Sequence, residues 1–297
     1  MNISRDALEA SYGFCRHMSR QAGSNFHAGF LLLSKEKCRA MEALYAFMRH
    51  TDDLADDVVL HDDRRRELIV AWRTALDRAL RGELPLPVSP SLLPALADTV
   101  ERFHIPRKYL DAVIDGVEMD LTPQRYETFD ELRVYCERVA SAVGLACIHI
   151  WGFRGPEAFE PARAVGIALQ LTNILRDLKE DADAGRVYLP LAKLRQCGYS
   201  VDDLQAGVDD ERFHRLMADE VARAEQFYRD GARLWDWLEP DGQRIFGLMT
   251  TTYHALLRKI AQRPGAVFRG HVRLSRLKKL QLVVRWSFLP PQKVILQ

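Results

Sequence analysis

The sequence predicts an all-α protein. Apolar residues recur at spacings of three and four in nearly every segment of the 297-residue chain, and no sustained alternation of apolar and polar residues marks a sheet. Hydrophobic residues make up 47% of the composition, which is enough for a large buried core. Because no low-complexity linker divides the chain, we expect one bundle-like helical domain over residues 1–297.

Proline and glycine mark where successive helices should end. Taken in order along the chain, these breaks leave roughly ten helices joined by short loops. The breaks fall at Gly82–Ser91, His104–Pro106, Leu121–Pro123, Gly152–Pro156, Gly185–Pro190, Gly198–Ser200, Glu239–Gly242 and Pro264–Gly270.

Charge and cysteine content exclude several classes of protein. The chain contains 42 Lys and Arg and 41 Asp and Glu, so it has no large net positive charge that would favour binding to a nucleic acid. The five scattered cysteines include no C-x-x-C pair, which indicates neither a disulfide framework nor a zinc site. No apolar signal core opens the chain and no apolar run is long enough for a membrane span, so we expect a cytoplasmic protein. No G-x-G-x-x-G follows a strand, which argues against a Rossmann nucleotide site.

An acidic cluster, Asp52–Asp57, lies in the first of two helical segments that carry a polar stripe. Asp52 and Asp56 are four residues apart, so they share a helical face with Tyr45 and Arg49. A guanidinium beside carboxylates suits a site that receives phosphate, because arginine binds phosphate oxygens while the acids hold a metal.

The second stripe follows about 120 residues later, with Asn173, Asp177 and Asp181 on one face. In both segments a polar residue stands seven positions before the leading aspartate, Tyr45 in the first and Gln170 in the second. The two stripes therefore have equivalent register and can face each other across a helical bundle.

Two facing stripes of this kind predict a divalent-metal site. Like charges stacked four residues apart destabilise an isolated helix, and hard oxygen ligands suit Mg²⁺ bound together with substrate phosphates, with Mn²⁺ as the alternative ion. A solvated acidic face is the competing interpretation. It is weakened because the stripes follow apolar segments, Ala40–Met48 and Ala164–Leu171, that we expect to be buried.

Two further segments have open interpretations. Gly185–Pro190 directly follows the second stripe and supplies Arg186 and Tyr188 near the same mouth, although its pattern is also that of an ordinary helix stop. Tyr135–Gly144 contains small residues that permit close helix packing, the favoured interpretation, or contact with a long apolar ligand.

Five segments, in order, resemble the squalene/phytoene synthase family. The match covers nearly the whole chain, and the two aspartate motifs together with Arg-Val-Tyr-Leu-Pro make it specific. The segments are Ser24–Phe26 with Phe30–Leu32, Ala43–Asp53, Ile114–Asp120, Tyr135–Ala140, and Gln170–Pro190.

The resemblance implies the isoprenoid synthase fold, with a central apolar cavity whose mouth carries both acidic motifs. It implies head-to-head joining of two prenyl diphosphates with Mg²⁺. The implied metal ligands are Asp52, Asp53, Asp56, Asn173, Asp177 and Asp181. The implied diphosphate-binding residues are Tyr45, Arg49, Gln170, Arg176, Arg186, Tyr188 and Tyr253. Asp52 and Asp177 would act in catalysis, together with Tyr135, which matches a tyrosine proposed to handle a proton or steer a carbocation.

Two positions depart from the family pattern. His271 stands where the family tends to place arginine, so either His271 or one of the neighbours Arg269 and Arg273 would face phosphate. Glu42 stands where a bulky pocket residue is expected, which makes inference of the substrate's chain length from this position unsafe.

Our expectation is condensation of two farnesyl diphosphates to presqualene diphosphate, with squalene as an optional further product. The alternatives are a phytoene synthase that uses two geranylgeranyl diphosphates, and a non-catalytic assembly protein of the same fold. A non-Rossmann NADPH site and the oligomeric state stay open. The basic run Arg269–Lys279 leaves open a peripheral contact with the inner face of the membrane.

Overall fold

The computed structural model describes residues 4–21, 27–56, 61–83, 91–122 and 125–288. Within these ranges the chain forms fifteen α-helices and no β-strand beyond two isolated bridges, which confirms the all-α prediction. The helices are α1 (Arg5–Gln21), α2 (His27–Phe30), α3 (Lys35–Asp56), α4 (Asp62–Leu80), α5 (Leu93–Arg102), α6 (Arg107–Met119), α7 (Phe129–Cys136), α8 (Ala142–Trp151), α9 (Phe159–Arg176), α10 (Leu178–Asp183), α11 (Leu191–Gln196), α12 (Val201–Ala206), α13 (Glu211–Ala232), α14 (Pro240–Gln262) and α15 (Arg276–Phe288).

The helix boundaries follow local sequence signals. Thr128 opens α7 with a capping box that it shares with Glu131, and Ser200 does the same for α12 with Asp203. The helices outnumber the roughly ten that were expected, because short helices and helix breaks also occur where neither proline nor glycine marks them.

A π-helical turn, Glu137–Ser141, joins α7 to α8 in the middle of the segment that was expected to pack closely. Gly166 of α9 faces this turn, and a Cβ added there would lie 2.5 Å from the Cα of Ser141. The segment therefore packs closely against α9 at Ser141, as predicted, while Ala140 and Gly144 line the cavity described below, as the alternative interpretation requires.

Two apolar cores hold the helices together. One contains buried residues of α1, α3 to α6, α8 and α15 and of the early parts of α9 and α14, while the other contains those of α7, α10 to α13 and the later parts of α9 and α14. The cavity described below lies among α3, the π turn with α8, α9 and α14. Whether residues 1–297 fold as a single domain stays a prediction.

No helix in the described part of the chain combines the length and the hydropathy that a membrane span requires.

Candidate active site

A cavity of about 310 Å³ lies among these four elements. Polar side chains line one end, which we call the mouth, and apolar side chains line the other, which we call the closed end. The mouth residues are Tyr45, Arg49, Asp52, Gln170, Asn173 and Tyr253. The closed-end residues are Met41, Trp151, Ala162, Leu234 and Phe246.

The positions of the lining residues along α3 and α9 explain why one end of the cavity is polar and the other apolar. On α3, Met41 and Asp52 both line the cavity and are eleven residues apart, a rise of about 16 Å. On α9, Ala162 and Asn173 are separated by the same number of residues. Both helices therefore run from the closed end towards the mouth, which carries their acidic and amide groups to the same place.

The first motif keeps one regular helix, and its polar residues divide between two directions. Tyr45, Arg49 and Asp52 line the cavity. Asp53 instead forms an ion pair with Arg49, with 2.5 Å between the Oδ1 and guanidinium nitrogen atoms, and its side chain is half exposed. Asp56 ends α3, and its side chain lies outside the described residues.

The second motif brings Gln170 and Asn173 to the cavity wall. The Oδ1 atom of Asn173 is buried and accepts no hydrogen bond from the described residues. An amide oxygen left without a donor at the mouth of a cavity is suited to accept a cation.

The second motif was expected on a continuous helix, and this expectation is wrong. The α-helix stops at Arg176, and Asp177 has φ −100° and ψ 11° before α10 begins. Arg176 donates to Oδ1 of Asp177 at 2.7 Å and also contacts Oδ2. Adjacent residues do not face each other on a regular helix, and the break at Asp177 accompanies this pairing. Backbone hydrogen bonds from Asp177 to Asn173 and from Asp181 to Asp177 keep the two pieces in line.

Asp181 is the most buried carboxylate of the motif that the structure describes. Desolvation raises the pKa of its carboxyl to about 6, and the nearby positive charge of Arg186 opposes this shift. Arg186 approaches Asp181 with 3.4 Å between Nε and Oδ1. The segment Gly185–Pro190, which follows the second stripe, therefore contributes the positive charge of Arg186 to the site.

His271 also contacts the second motif. Its Nδ1 lies 3.5 Å from Oδ1 of Asp177, and its Nε2 lies 3.0 Å from Oε2 of Glu180. Ligand atoms of these three residues lie within 4.8 Å of one another. The neighbouring Arg269 pairs with Asp209 instead, so His271 rather than Arg269 faces the motif.

Tyr135 and Tyr188 meet at a carboxylate that was not among the predicted site residues. Both hydroxyls donate to Asp120, each at 3.0 Å, and the two rings stack with centroids 5.1 Å apart. Burial and then the negative charge of Asp120 raise the pKa of both tyrosines far above the usual phenol value. Both hydroxyls therefore stay protonated at neutral pH. Tyr126 adds a third ring, which stacks on Tyr188.

Tyr253 links the cavity wall to the second motif. It is buried, lines the mouth, and shares a side-chain hydrogen bond with Arg176. Burial raises the pKa of its hydroxyl, while the positive charge of Arg176 opposes the change.

Glu42 does not face the cavity. Its carboxylate is 4% exposed and lies 3.3 Å from Nε of Arg16 on α1. The position expected to hold a bulky pocket residue is thus turned away from the substrate side.

The mouth fits Mg²⁺. Hard oxygen donors are concentrated there, the Asn173 Oδ1 atom has no donor partner in the described chain, and cationic side chains stand behind the carboxylates to receive phosphate. Of the predicted ligands, Asp52 and Asn173 line the mouth, and these two together with Asp177 and Asp181 of the second motif would hold the ion, whereas Asp53 pairs with Arg49.

An all-helical fold whose apolar cavity opens between two acidic motifs is that of the isoprenoid synthases. Residues 19–278 match the model of the squalene/phytoene synthase family, so the chain belongs to this family. It is therefore a prenyltransferase that condenses prenyl diphosphates head to head, and the family is in general Mg²⁺-dependent.

Similar proteins span nearly the whole chain. The 15-cis-phytoene synthase of Synechocystis sp. is 34% identical, over 94% of this chain and 86% of its own length. The phytoene synthase of Mycobacterium tuberculosis is 36% identical, over 93% of this chain and 90% of its own length. The crystal structure of squalene synthase HpnC from Alicyclobacillus acidocaldarius superposes with a TM-score of 0.81 at 29% identity, over 89% of this chain and 97% of that one.

Proposed function

We propose that this chain condenses two geranylgeranyl diphosphates to phytoene. The observation that carries the proposal is the cavity itself, whose apolar walls open between Asp52 of one motif and Asn173 of the other. The choice of substrate is supported by relatives of 34% and 36% identity that are named phytoene synthases. These relatives favour the geranylgeranyl alternative over the farnesyl condensation that the sequence alone led us to expect.

The proposed reaction begins with loss of one diphosphate, in which the bond between carbon and oxygen breaks and the electron pair leaves with oxygen. Bound Mg²⁺ would neutralise the developing charge. Arg49, Arg176 and Arg186 would contribute further positive charge at preorganised positions, since each already contacts a motif carboxylate.

The apolar wall would then protect the cation. Met48, Val143 and Leu169 add apolar side chains to the cavity wall, and the closed end continues this wall to Trp151. Excluding water matters because water would quench the cation before the second prenyl chain could react. Tyr135, held by Asp120, is proposed to handle a proton or steer the cation at a later step.

Condensation of two farnesyl diphosphates is the second candidate. It is favoured by the similarity to a squalene synthase structure and by Trp151, whose large side chain lies at the closed end and shortens the space for a chain. Similarity to known proteins lends no support to an NADPH site.

The test is the relative kcat/KM for the two substrates with Mg²⁺, measured together with product identity. We expect geranylgeranyl diphosphate to be preferred and a C40 hydrocarbon to form without NADPH. Trp151→Ala should raise the preference for the longer chain further, because the closed end becomes deeper. Trp237→Ala removes a tryptophan that does not line the cavity and serves as the control.

A preference for farnesyl diphosphate in the parent protein that Trp151→Ala reverses would establish the second candidate. If neither substrate is turned over with Mg²⁺, both candidate functions would be overturned.

A further inference from the structure

The last described helix, α15, carries an apolar stripe that faces away from the protein. Leu277, Leu280, Val284 and Phe288 are 65%, 58%, 45% and 80% exposed. Their spacing of three, four and four residues places them on one face of the helix. In the described part of the chain only seven large apolar residues are this exposed, and four of them belong to this stripe.

The opposite face of α15 fixes the helix to the body of the protein. Leu282 and Trp286 are buried, and Nε1 of Trp286 donates to Thr251 of α14 at 3.0 Å. A Cβ added at Gly247 of α14 would lie 2.2 Å from the Trp286 ring, so the contact is close. The outward direction of the stripe is therefore set by packing.

Cationic side chains flank the stripe on both sides. At 100° per residue, Arg276 lies about 100° to one side of Leu277, and Lys278 and Arg285 lie about 80–100° to the other. All three cationic residues are exposed. Long cationic side chains at the edges of an apolar face can reach phosphate groups while the apolar residues enter the acyl region.

The surrounding sequence strengthens this charge pattern. From Gly242 to Gln297 the chain contains no Asp or Glu, while it contains eleven Lys and Arg. The chain as a whole has a net charge of only +1, so the positive charge is concentrated in this part. An amphipathic helix with this charge is complementary to an anionic lipid surface.

We propose that α15 docks the enzyme on the surface of an anionic phospholipid bilayer. The stripe Leu277, Leu280, Val284 and Phe288 would enter the interface, and Arg276, Lys278 and Arg285 would contact lipid phosphates. Since α14 contacts α15 on one side and lines the cavity on another with Phe246, Met249 and Tyr253, docking would place the cavity wall one helix away from the lipid. Lipid proximity suits an enzyme whose substrates and products are long apolar chains.

The test is co-sedimentation of the full-length protein with vesicles of phosphatidylcholine alone, or of phosphatidylcholine mixed with phosphatidylglycerol. We expect binding to the anionic vesicles, weakened by added salt, and little binding to the neutral ones. The double variant Leu277→Ser/Leu280→Ser should lose about tenfold in partition coefficient, because exposed apolar area no longer enters the interface. The double variant Arg276→Gln/Lys278→Gln should lose about fivefold for each cation removed, on anionic vesicles only.

A matched control replaces exposed apolar residues elsewhere, Val70→Ser/Val134→Ser, at positions that are 61% and 47% exposed. All the substituted apolar side chains are exposed, so folding should persist, which circular dichroism and turnover without vesicles would show. Equal vesicle binding by the two serine double variants would overturn the proposal. So would a parent protein that binds no vesicles and dimerises in solution in a way that Leu277→Ser/Leu280→Ser abolishes, because the stripe would then bind a second copy of the chain.

Discussion

Each acidic motif contributes to one mouth, through Asp52 in the first and Asn173 in the second, but the two motifs have different local structures. The first lies on the uninterrupted helix α3, where Asp52 points to the cavity and Asp53 pairs with Arg49. The second lies across a helix break, where Asp177 is held by Arg176 and His271, and the buried Asp181 lies beside Arg186.

This difference concerns which motif is held in place before any metal or substrate binds. Three cationic or titratable side chains surround the two described aspartates of the second motif, whereas in the first motif Arg49, itself at the cavity, pairs with Asp53, a carboxylate that does not line the cavity. The second motif is therefore a preorganised receptor for a leaving diphosphate, since its cations already stand at the carboxylates.

The largest expected effect is on turnover, which substitution of Asp177 should lower strongly and substitution of Asp53 should barely change. Asp177→Asn should lower kcat/KM by about 10³-fold, because it removes a charge from the centre of the preorganised motif. Asp53→Asn should keep near-parental turnover, since Asp53 faces Arg49 and solvent rather than the cavity. Steady-state rates at saturating Mg²⁺ test both variants, with circular dichroism as the folding control. Equal losses in the two variants would remove the distinction between the two positions.

A smaller loss of product formation is expected for substitutions of Asp120 and of the tyrosine that donates to it. Tyr135→Phe should bind substrate and Mg²⁺ almost normally but lower product formation about tenfold, because the ring volume is kept and the hydroxyl is lost. Asp120→Asn should have a similar effect, since it weakens the acceptor that positions both tyrosine hydroxyls.

Tyr126→Phe is the matched control for this cluster, because the Tyr126 hydroxyl has no hydrogen-bond partner among the described residues. Diphosphate release, product yield and Tm should be measured on each variant. If Tyr135→Phe lowers Tm but leaves the rate per folded molecule unchanged, Tyr135 only packs.

Burial of Asp181 predicts a pH effect on stability without metal. The folded pKa is raised from 3.8 to about 6, so ionisation of the buried carboxyl costs stability as pH rises through 6. In EDTA, Asp181→Asn should therefore gain on the parent protein between pH 4 and pH 7, by about 2 kcal/mol or a few degrees in Tm, with most of the gain below pH 6. A Tm difference that stays constant over this range would show that Asp181 is well solvated.

The smallest effect should come from Glu42. Glu42→Gln should cost about 1–2 kcal/mol of stability through the lost pair with Arg16, and it should leave chain-length preference unchanged because Glu42 faces α1. Its neighbour Met41 lines the closed end, so Met41→Phe should lower turnover of the longer substrate. Denaturant unfolding and substrate competition distinguish the two positions. A shift in chain-length preference caused by Glu42→Gln would place Glu42 in the cavity.

Much of this architecture could be predicted from local sequence. Helical periodicity and proline or glycine breaks indicated the helices, and the spacing of Tyr45, Asp52, Gln170 and Asn173 placed them correctly on the faces that line the cavity. These features depend on residues close in sequence, where spacing fixes geometry.

The features that escaped prediction depend on contacts between side chains. The break at Asp177 has no proline or glycine to mark it and accompanies pairing with Arg176. Asp120 becomes a site residue only because the fold brings it to Tyr135 and Tyr188, which are 15 and 68 residues away. Its presence in a segment that resembles the family was the available signal.

The central claim is that both motifs act as one centre at the cavity mouth, and a double-mutant cycle tests it most directly. The values of kcat/KM would be measured for the parent protein, Asp52→Asn, Asp177→Asn and the double variant at saturating Mg²⁺. If the two carboxylates serve one centre, the double variant should be little slower than the slower single variant, because residues that act as a unit are strongly non-additive. Losses that multiply, with each substitution keeping its full effect in the presence of the other, would contradict the claim.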